Sequence, residues 1–324
     1  MNRALAAALT SVAAAGAARA AYAVLTRRPP GGEKTWTRVN HRGEPVTLLE
    51  GPAVAAGAVL AQILRGVPGG RPSGLAQYSE RARSSARPAQ ALALAGAGAF
   101  GFGVYDDLAG SGKRRGLRGH LGALANGEVT TGAVKLGGLG VTGLASALLL
   151  GGEPADVVIN AGLMAGGANL LNLFDLRPGR AIKVATLSAA LIKAGAPERG
   201  GQAVAAPLGA ALALLPDDLG ERAMLGDAGA NALGAMLGGA AAVSLPRPAR
   251  IALLAGIVAL TGASEKVSFT KVIERTPPLR WLDMLGRRPP AVAHVAPAAR
   301  EAEPPGVAAV RSGEDSKASP RREP

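Results

Sequence analysis

Nine apolar segments constrain what this chain can fold into more than any other feature. They lie at about 4–25, 48–66, 89–105, 132–150, 155–173, 180–195, 202–216, 229–245 and 250–267, with short polar loops between them. A helix needs about 20 apolar residues to cross the hydrocarbon core of a bilayer, so blocks of this length suit membrane spans better than a globular core. Ala and Gly dominate the blocks. Each is therefore a weak hydropathy signal, yet small residues let membrane helices approach closely. The expected fold class is all-α: a polytopic integral membrane helical bundle of about nine transmembrane helices.

The net charge of +13 invites a nucleic-acid reading, but aromatics make up only 3% of the chain, too few for base stacking on a basic face. Positively charged cytoplasmic loops are the better account. There is no Cys, which excludes disulfides and thiolate metal sites. The domain reading is a transmembrane domain over 1–285 and a basic, Pro-rich cytoplasmic tail over 286–324, without periodicity and expected to be disordered.

Orientation follows from loop charge. The first segment, with Arg3 and the stretch AARAAYA, reads either as a cleaved signal peptide or as a retained helix. With nine spans and an outer N-terminus, the loops 26–47, 106–131, 174–180 and 217–228 fall in the cytoplasm together with the tail. These loops carry most of the loop Lys and Arg, the basic 66–88 loop being the exception. The asymmetry favours a retained first helix in a multi-pass cell-membrane protein.

Three acid-bearing motifs then share the cytoplasmic face. Asp106 and Asp107 close an apolar run in YDDLAG, Asp175 ends NLLNLFD, and Asp227 sits in LGDAGAN. Ionisable groups at membrane helix ends are costly unless paired or functional. Asn169, Asn172 and Asp175 recur every three residues and so share one side of a helix. They suit either a polar ligand or interhelical hydrogen bonds. Asp227 reads as a helix N-cap that still has lone pairs for a metal, and Ala230, Gly234 and Gly238 read as close helix packing. Carboxylates at a helix C-terminus, where the macrodipole is already negative, become tolerable if a divalent cation shares them. Asp106, Asp107 and Asp227, with no Cys and no clustered His, suit Mg²⁺. Lys113, Arg114, Arg115 and Arg118 could meet phosphates or simply anchor the loop. The segment GAGAFG, 96–101, fits a dinucleotide-binding glycine pattern. It lacks the strand and helix that pattern needs, so packing within a membrane helix is sufficient explanation.

Taken in order, RVNHRGEPVTLLEG, YDDLAG, NLLNLFDLRPGRA and LGDAGAN resemble the four cytoplasmic motifs of the polyprenyl-phosphate sugar-1-phosphate transferases, the MraY/WecA-type family. The resemblance spans about 1–285. It implies Mg²⁺-dependent transfer of a phospho-sugar, from a UDP-amino sugar or similar nucleotide-sugar, to a polyprenyl phosphate lipid. A nucleoside monophosphate leaves, and the reaction serves cell-envelope glycan biosynthesis such as peptidoglycan. Residue by residue it implies catalytic roles for Asp106, Asp107 and Asp175, metal ligation by Asp227 and Asp107, and substrate binding by Asn169, Asn172, Lys113, Arg42 and Arg177. A homodimer is among the arrangements it allows, and no nucleic-acid partner is expected.

The chain departs from the family pattern in three places. Leu176 and Pro178 replace a Gly and an Asp in the nucleoside-recognition loop, KVIERTPPLRWLDMLGR offers Arg275 and Arg280 where the family carries histidines, and a tenth helix is missing. A catalytically silent relative that binds a lipid-linked precursor or scaffolds an envelope complex is therefore the alternative.

Overall fold

The structure, a computed structural model, describes residues 2–67, 75–110, 119, 122–123 and 126–289, with the backbone alone over 75–85. Lys113, Arg114, Arg115, Arg118 and the tail beyond Pro289 lie outside the described residues. Residues Met1–Arg288 form one compact unit.

All nine apolar segments are helices. They are α1 (Arg3–Arg27), α3 (Glu50–Gly66), α4 (Leu75–Ala109), α5 (Thr131–Leu150), α6 (Pro154–Phe174), α7 (Arg180–Gly195), α8 (Pro197–Leu219), α9 (Gly226–Ser244) and α10 (Arg247–Ser264). Three short helices complete the set: α2 (Glu33–Trp36), α11 (Phe269–Arg275) and α12 (Pro277–Met284). Among the described residues, α1, α5 and α6 are each long and apolar enough to cross a membrane. A fourth crossing is reached if α10 and α11, bent by 95° at their junction, are taken together. With 17 and 16 residues, α3 and α7 are shorter than a standard span.

The fold departs from all-α in one small element. Strands β1 (Thr37–Val39) and β2 (Pro45–Thr47) pair antiparallel, Arg38 opposite Val46. The turn between them is held by Asn40, whose side-chain oxygen accepts the N–H groups of Arg42 and Glu44 at 2.8 and 2.9 Å. Thr47 then exchanges backbone hydrogen bonds with the 222–224 segment, at 3.2 Å to the Arg222 carbonyl and 3.0 Å from the Met224 N–H. The hairpin is thereby fixed beside the start of α9.

Helix α9 is the axis of the bundle. From Ala228 to Ala242 every residue is buried, and α3, α4, α6, α7 and α8 all pack on it. Its small residues are what make this possible. A Cβ on Gly234 would meet the backbone of Gly167 and Ala168, and one on Gly238 the backbone of Leu163 and Met164, so two turns of α9 lie directly on α6. Within 96–101, Gly96 and Gly98 are packing residues as well, whereas Gly101 faces open space. A Cβ on Gly96 would lie 2.7 Å from Met236 Sδ, and one on Gly103 would lie 2.5 Å from the Asp227 carbonyl.

Candidate functional site

The end of α4 meets the start of α9. Asp107 Oδ1 accepts the N–H of Asp227 at 3.1 Å, and its Oδ2 accepts the N–H of Ala228 at 2.9 Å. These are two of the donors that a helix N-terminus leaves without an internal partner. Asp227 is therefore not the cap: α9 begins one residue earlier, at Gly226, and Asp107 caps it from another helix. Gly226 is required for this contact. Its φ is +61°, and a Cβ there would stand 3.0 Å from Asp107 Oδ2.

This geometry explains how a carboxylate is tolerated at the C-terminus of α4. The negative end of its own helix opposes it, but the positive end of α9 faces it at hydrogen-bond distance. Arg38 of the hairpin donates to the Asp107 carbonyl at 2.5 Å and satisfies that exposed end of the backbone. Burial still pushes the Asp107 carboxyl up, to about 7. The charge of Asp227 adds to this, and the two N–H donors and Arg38 work against it.

Asp106 and Asp227 share a cation. Lys135 Nζ, one turn into α5, stands 2.7 Å from Asp106 Oδ2 and 2.5 Å from Asp227 Oδ2. The three side chains are largely shielded, at 12% exposed for Lys135, 16% for Asp106 and 24% for Asp227, so their mutual attraction is screened less than at a surface. Burial raises both carboxyls. For Asp106, hydrogen bonds to Asp227, Lys135 and Thr131 outweigh burial and hold it below the usual range, whereas Asp227 stays above it.

Asp175 follows the last turn of α6 as its C-cap and is 8% exposed. Burial raises its carboxyl well above the usual range, with Asp218, Asp227 and Asp107 adding to the effect, while the N–H of Gly226 draws it the other way. The start of α9 is thus addressed by Asp107 from α4 and by Asp175 from α6. The Oδ2 of Asp175 has no hydrogen-bond partner among the described residues.

Asp175 also lines a cavity of about 160 Å³ with His41, Arg177, Pro178, Asp218 and Glu221. Glu221 is a buried part of the cavity wall. It has a φ of +57°, the one positive value at a non-glycine residue among those described, and it holds Arg42 Nε at 2.9 Å and Asn40 Nδ2 at 3.0 Å. Arg42 is thus bound to a buried carboxylate, and it also donates to the Arg288 carbonyl at 3.0 Å. Arg177 stays on the cavity rim, 3.9 Å from Glu274.

Comparison with protein-family models gives no match, and no curated protein matches significantly. The family likeness of the four motifs therefore stands as a proposal.

Of the expected site residues, Asp106, Asp107, Asp175 and Asp227 come together at one end of the bundle. Asn169 and Asn172 lie on the last two turns of α6 leading to Asp175, half-buried and without side-chain hydrogen bonds among the described residues. Arg180 belongs elsewhere. Although it lies in the NLLNLFDLRPGRA motif, it is buried and forms a bidentate pair with Asp283, Nε to Oδ1 at 2.7 Å and Nη2 to Oδ2 at 3.1 Å. Lys135 was not anticipated. A single cation one turn inside an apolar segment is its signal, since such a charge needs a partner at membrane depth.

No three His, Cys, Asp or Glu side chains stand close enough to hold a metal by themselves among the described residues. Mg²⁺ does not need such a group. It is commonly held by one or two carboxylates and completed by substrate phosphate oxygens and water. Asp106 and Asp227 fit that pattern: both are hard oxygen donors, and Lys135 engages only the Oδ2 of each.

Proposed function

We propose that this chain transfers a phospho-sugar from a nucleotide-sugar to a polyprenyl phosphate at the cytoplasmic face of the cell membrane. One observation carries the reading. Motifs separated by about a hundred residues or more are joined by Asp107 on the start of α9 and by Lys135 between Asp106 and Asp227. That is a reason for these acids to lie at helix ends beyond the needs of packing alone. In the reaction an oxygen of the polyprenyl phosphate attacks the β-phosphorus of the nucleotide-sugar. The bond from that phosphorus to the bridging oxygen breaks, and the nucleoside monophosphate leaves with the bridging oxygen.

The cluster favours phosphoryl chemistry with an added cation. Among the described residues, the cations beside Asp106, Asp107 and Asp227 are Lys135 and Arg38, so at these acids a diphosphate would meet net negative charge. Mg²⁺ bound by Asp227, Asp107 or Asp106 would supply the missing neutralisation. Lys135 would keep Asp106 and Asp227 at a fixed separation and ionised, and Asp106 would hold or deprotonate the lipid phosphate. The cavity beside Asp175 is the place for the nucleoside. Pro178 on its wall offers no side-chain acceptor to a base, which favours relaxed base selectivity.

Nine crossings with an outer N-terminus are consistent with this placement. Helices alternating in direction put the ends of α4, α6 and α8 and the starts of α5, α7 and α9 on one face, as the contacts among Asp107, Lys135, Asp175 and Asp227 require. The test is release of nucleoside monophosphate by the purified chain supplied with polyprenyl phosphate, UDP-amino sugar and Mg²⁺. Binding of a lipid pyrophosphate without any release would favour the silent relative instead.

A further inference from the structure

The chain beyond α10 forms a surface to which the transfer proposed above assigns no residue. Helix α10 exposes Ile251, Leu253, Val258 and Leu260, and among its residues Ile257 is the one that is buried. Such a helix is a lipid-facing one. At Ser264 the chain turns by 95° into α11, so where α10 crosses a bilayer α11 runs along its surface.

The depth of this turn is set by α12. Its Asp283 is bound to Arg180, the first residue of α7, and Lys183 Nζ donates to the Asp283 carbonyl at 2.6 Å. Helices α11 and α12 are therefore held at the end of the bundle where α6 gives way to α7, which is the end that carries Asp175. With Asp283 turned inward and α11 packed alongside, the outward side of α12 and the residue that follows it are left exposed. Trp281 is 68% exposed, Leu285 52% and Leu279 44%, and Val272 on α11 is 41% exposed. In water such a surface would be unfavourable. At a bilayer interface Trp is the preferred residue, and amphipathic segments bury their apolar side chains among the headgroups.

Charge selects the lipid. Lys271, Arg275 and Arg280 are exposed and have no ion-pair partner among the described residues. Arg275, Arg280, Trp281 and Leu285 line one open groove of about 640 Å³, large enough for a phospholipid headgroup; its one acid, Glu274, lies 3.9 Å from Arg177, which leaves the two arginines in excess. Two guanidinium groups match a phosphate oxygen set, and the apolar neighbours match the glycerol and upper acyl chains.

We infer that α11 and α12 form an interfacial platform whose Arg275–Arg280–Trp281 groove binds the headgroup of an anionic phospholipid. The inference needs the chain to be in a bilayer and is independent of the transfer reaction.

The experiment uses the full chain in vesicles and reads Trp fluorescence. Of the two Trp residues, Trp36 is buried and donates to the Pro30 carbonyl, so the signal of Trp281 is taken as wild type minus Trp281→Phe. Phosphatidylcholine brominated near the glycerol end should quench Trp281 strongly, and the same lipid brominated deep in the chain should quench it weakly. Replacing brominated phosphatidylcholine by brominated phosphatidylglycerol should show preferential binding of the anionic lipid by about five-fold or more, as expected of even one cation near the surface. That preference should fall towards unity in the Lys271→Gln, Arg275→Gln, Arg280→Gln variant, while shallow quenching persists. Quenching of Trp281 by aqueous iodide and not by lipid would overturn the platform and leave the face to a protein partner. Equal binding of the two lipids in the wild type would overturn the anionic site.

Discussion

Asp107 Oδ2 accepts the N–H of Ala228 at 2.9 Å, so a carboxylate at the end of one helix serves as the cap of another, 121 residues further along the chain. With Oδ1 on the N–H of Asp227, this side chain satisfies two donors at the start of the most buried helix in the bundle. Asp107→Ala should lower stability by about 1–2 kcal/mol, the usual cost of losing a helix cap. Asp107→Asn keeps one acceptor and should lose about half as much. Thermal unfolding of the detergent-solubilised variants measures both. An unchanged midpoint in Asp107→Ala would show that the contact contributes nothing.

Lys135 makes a separate prediction. Its ammonium is the counter-charge of both Asp106 and Asp227, so Lys135→Met leaves two shielded carboxylates facing each other. Removing one partner of a buried ion pair costs about 3–5 kcal/mol, and the partial exposure of this group reduces the expected loss to about 2 kcal/mol. Added Mg²⁺ should restore part of that stability in the variant by replacing the lost positive charge. Unfolding midpoints with and without Mg²⁺ read the effect. A variant as stable as the wild type at low Mg²⁺ would mean that the two acids do not depend on the lysine.

What the sequence could reveal here depended on the length of the pattern. Segments of fifteen residues or more were legible as helices because hydrophobicity sustained over four turns is the pattern of a buried or membrane-crossing helix and is too long for a strand. The hairpin was not, since Thr37–Val39 and Pro45–Thr47 are three residues each and too short for alternation to register. Helices α11 and α12 were hidden by their polarity, although Ser268 before Lys271 and the prolines opening α12 are start signals. Asp106, Asp107, Asp175 and Asp227 stood out because each is an acid next to an apolar run. Lys135 did not, because a lone cation was absorbed into the segment it opens. The capping of α9 by Asp107 is a contact between helices, which spacing within one motif cannot show.

Acid should undock α12. Burial pushes the Asp283 carboxyl up, but its bond to Arg180 and the charges of Arg180, Arg287 and Lys183 outweigh burial and hold it below the usual carboxylate range. A group depressed in the folded state adds stability that is complete above its unfolded pKa, about 3.9, and is lost as pH falls through the folded value. Proteolysis within 265–289 should therefore be constant from neutral pH down to about pH 5 and should rise only below the usual carboxylate range. Asp283→Asn should be cut readily at neutral pH. Protection in that variant equal to wild type would show that the Arg180 pair does not hold α12 in place.

Topology has its own test. A reporter fused after Gly112 should report cytoplasm, and one fused after Glu153 should report the outside. The reverse pattern would put Asp106, Asp107 and Asp227 on the side that lacks nucleotide-sugars, and the transferase reading would fail.

Phospho-sugar transfer is tested by following UMP release from UDP-amino sugars by the purified chain, with polyprenyl phosphate present and Mg²⁺ varied. The expected result is release that requires both the lipid and Mg²⁺ and that falls by about a hundred-fold or more in Asp227→Asn, where folding survives because Asp107 provides the cap. Release that is unchanged in Asp227→Asn, or no release from any nucleotide-sugar at any Mg²⁺ concentration, would contradict it.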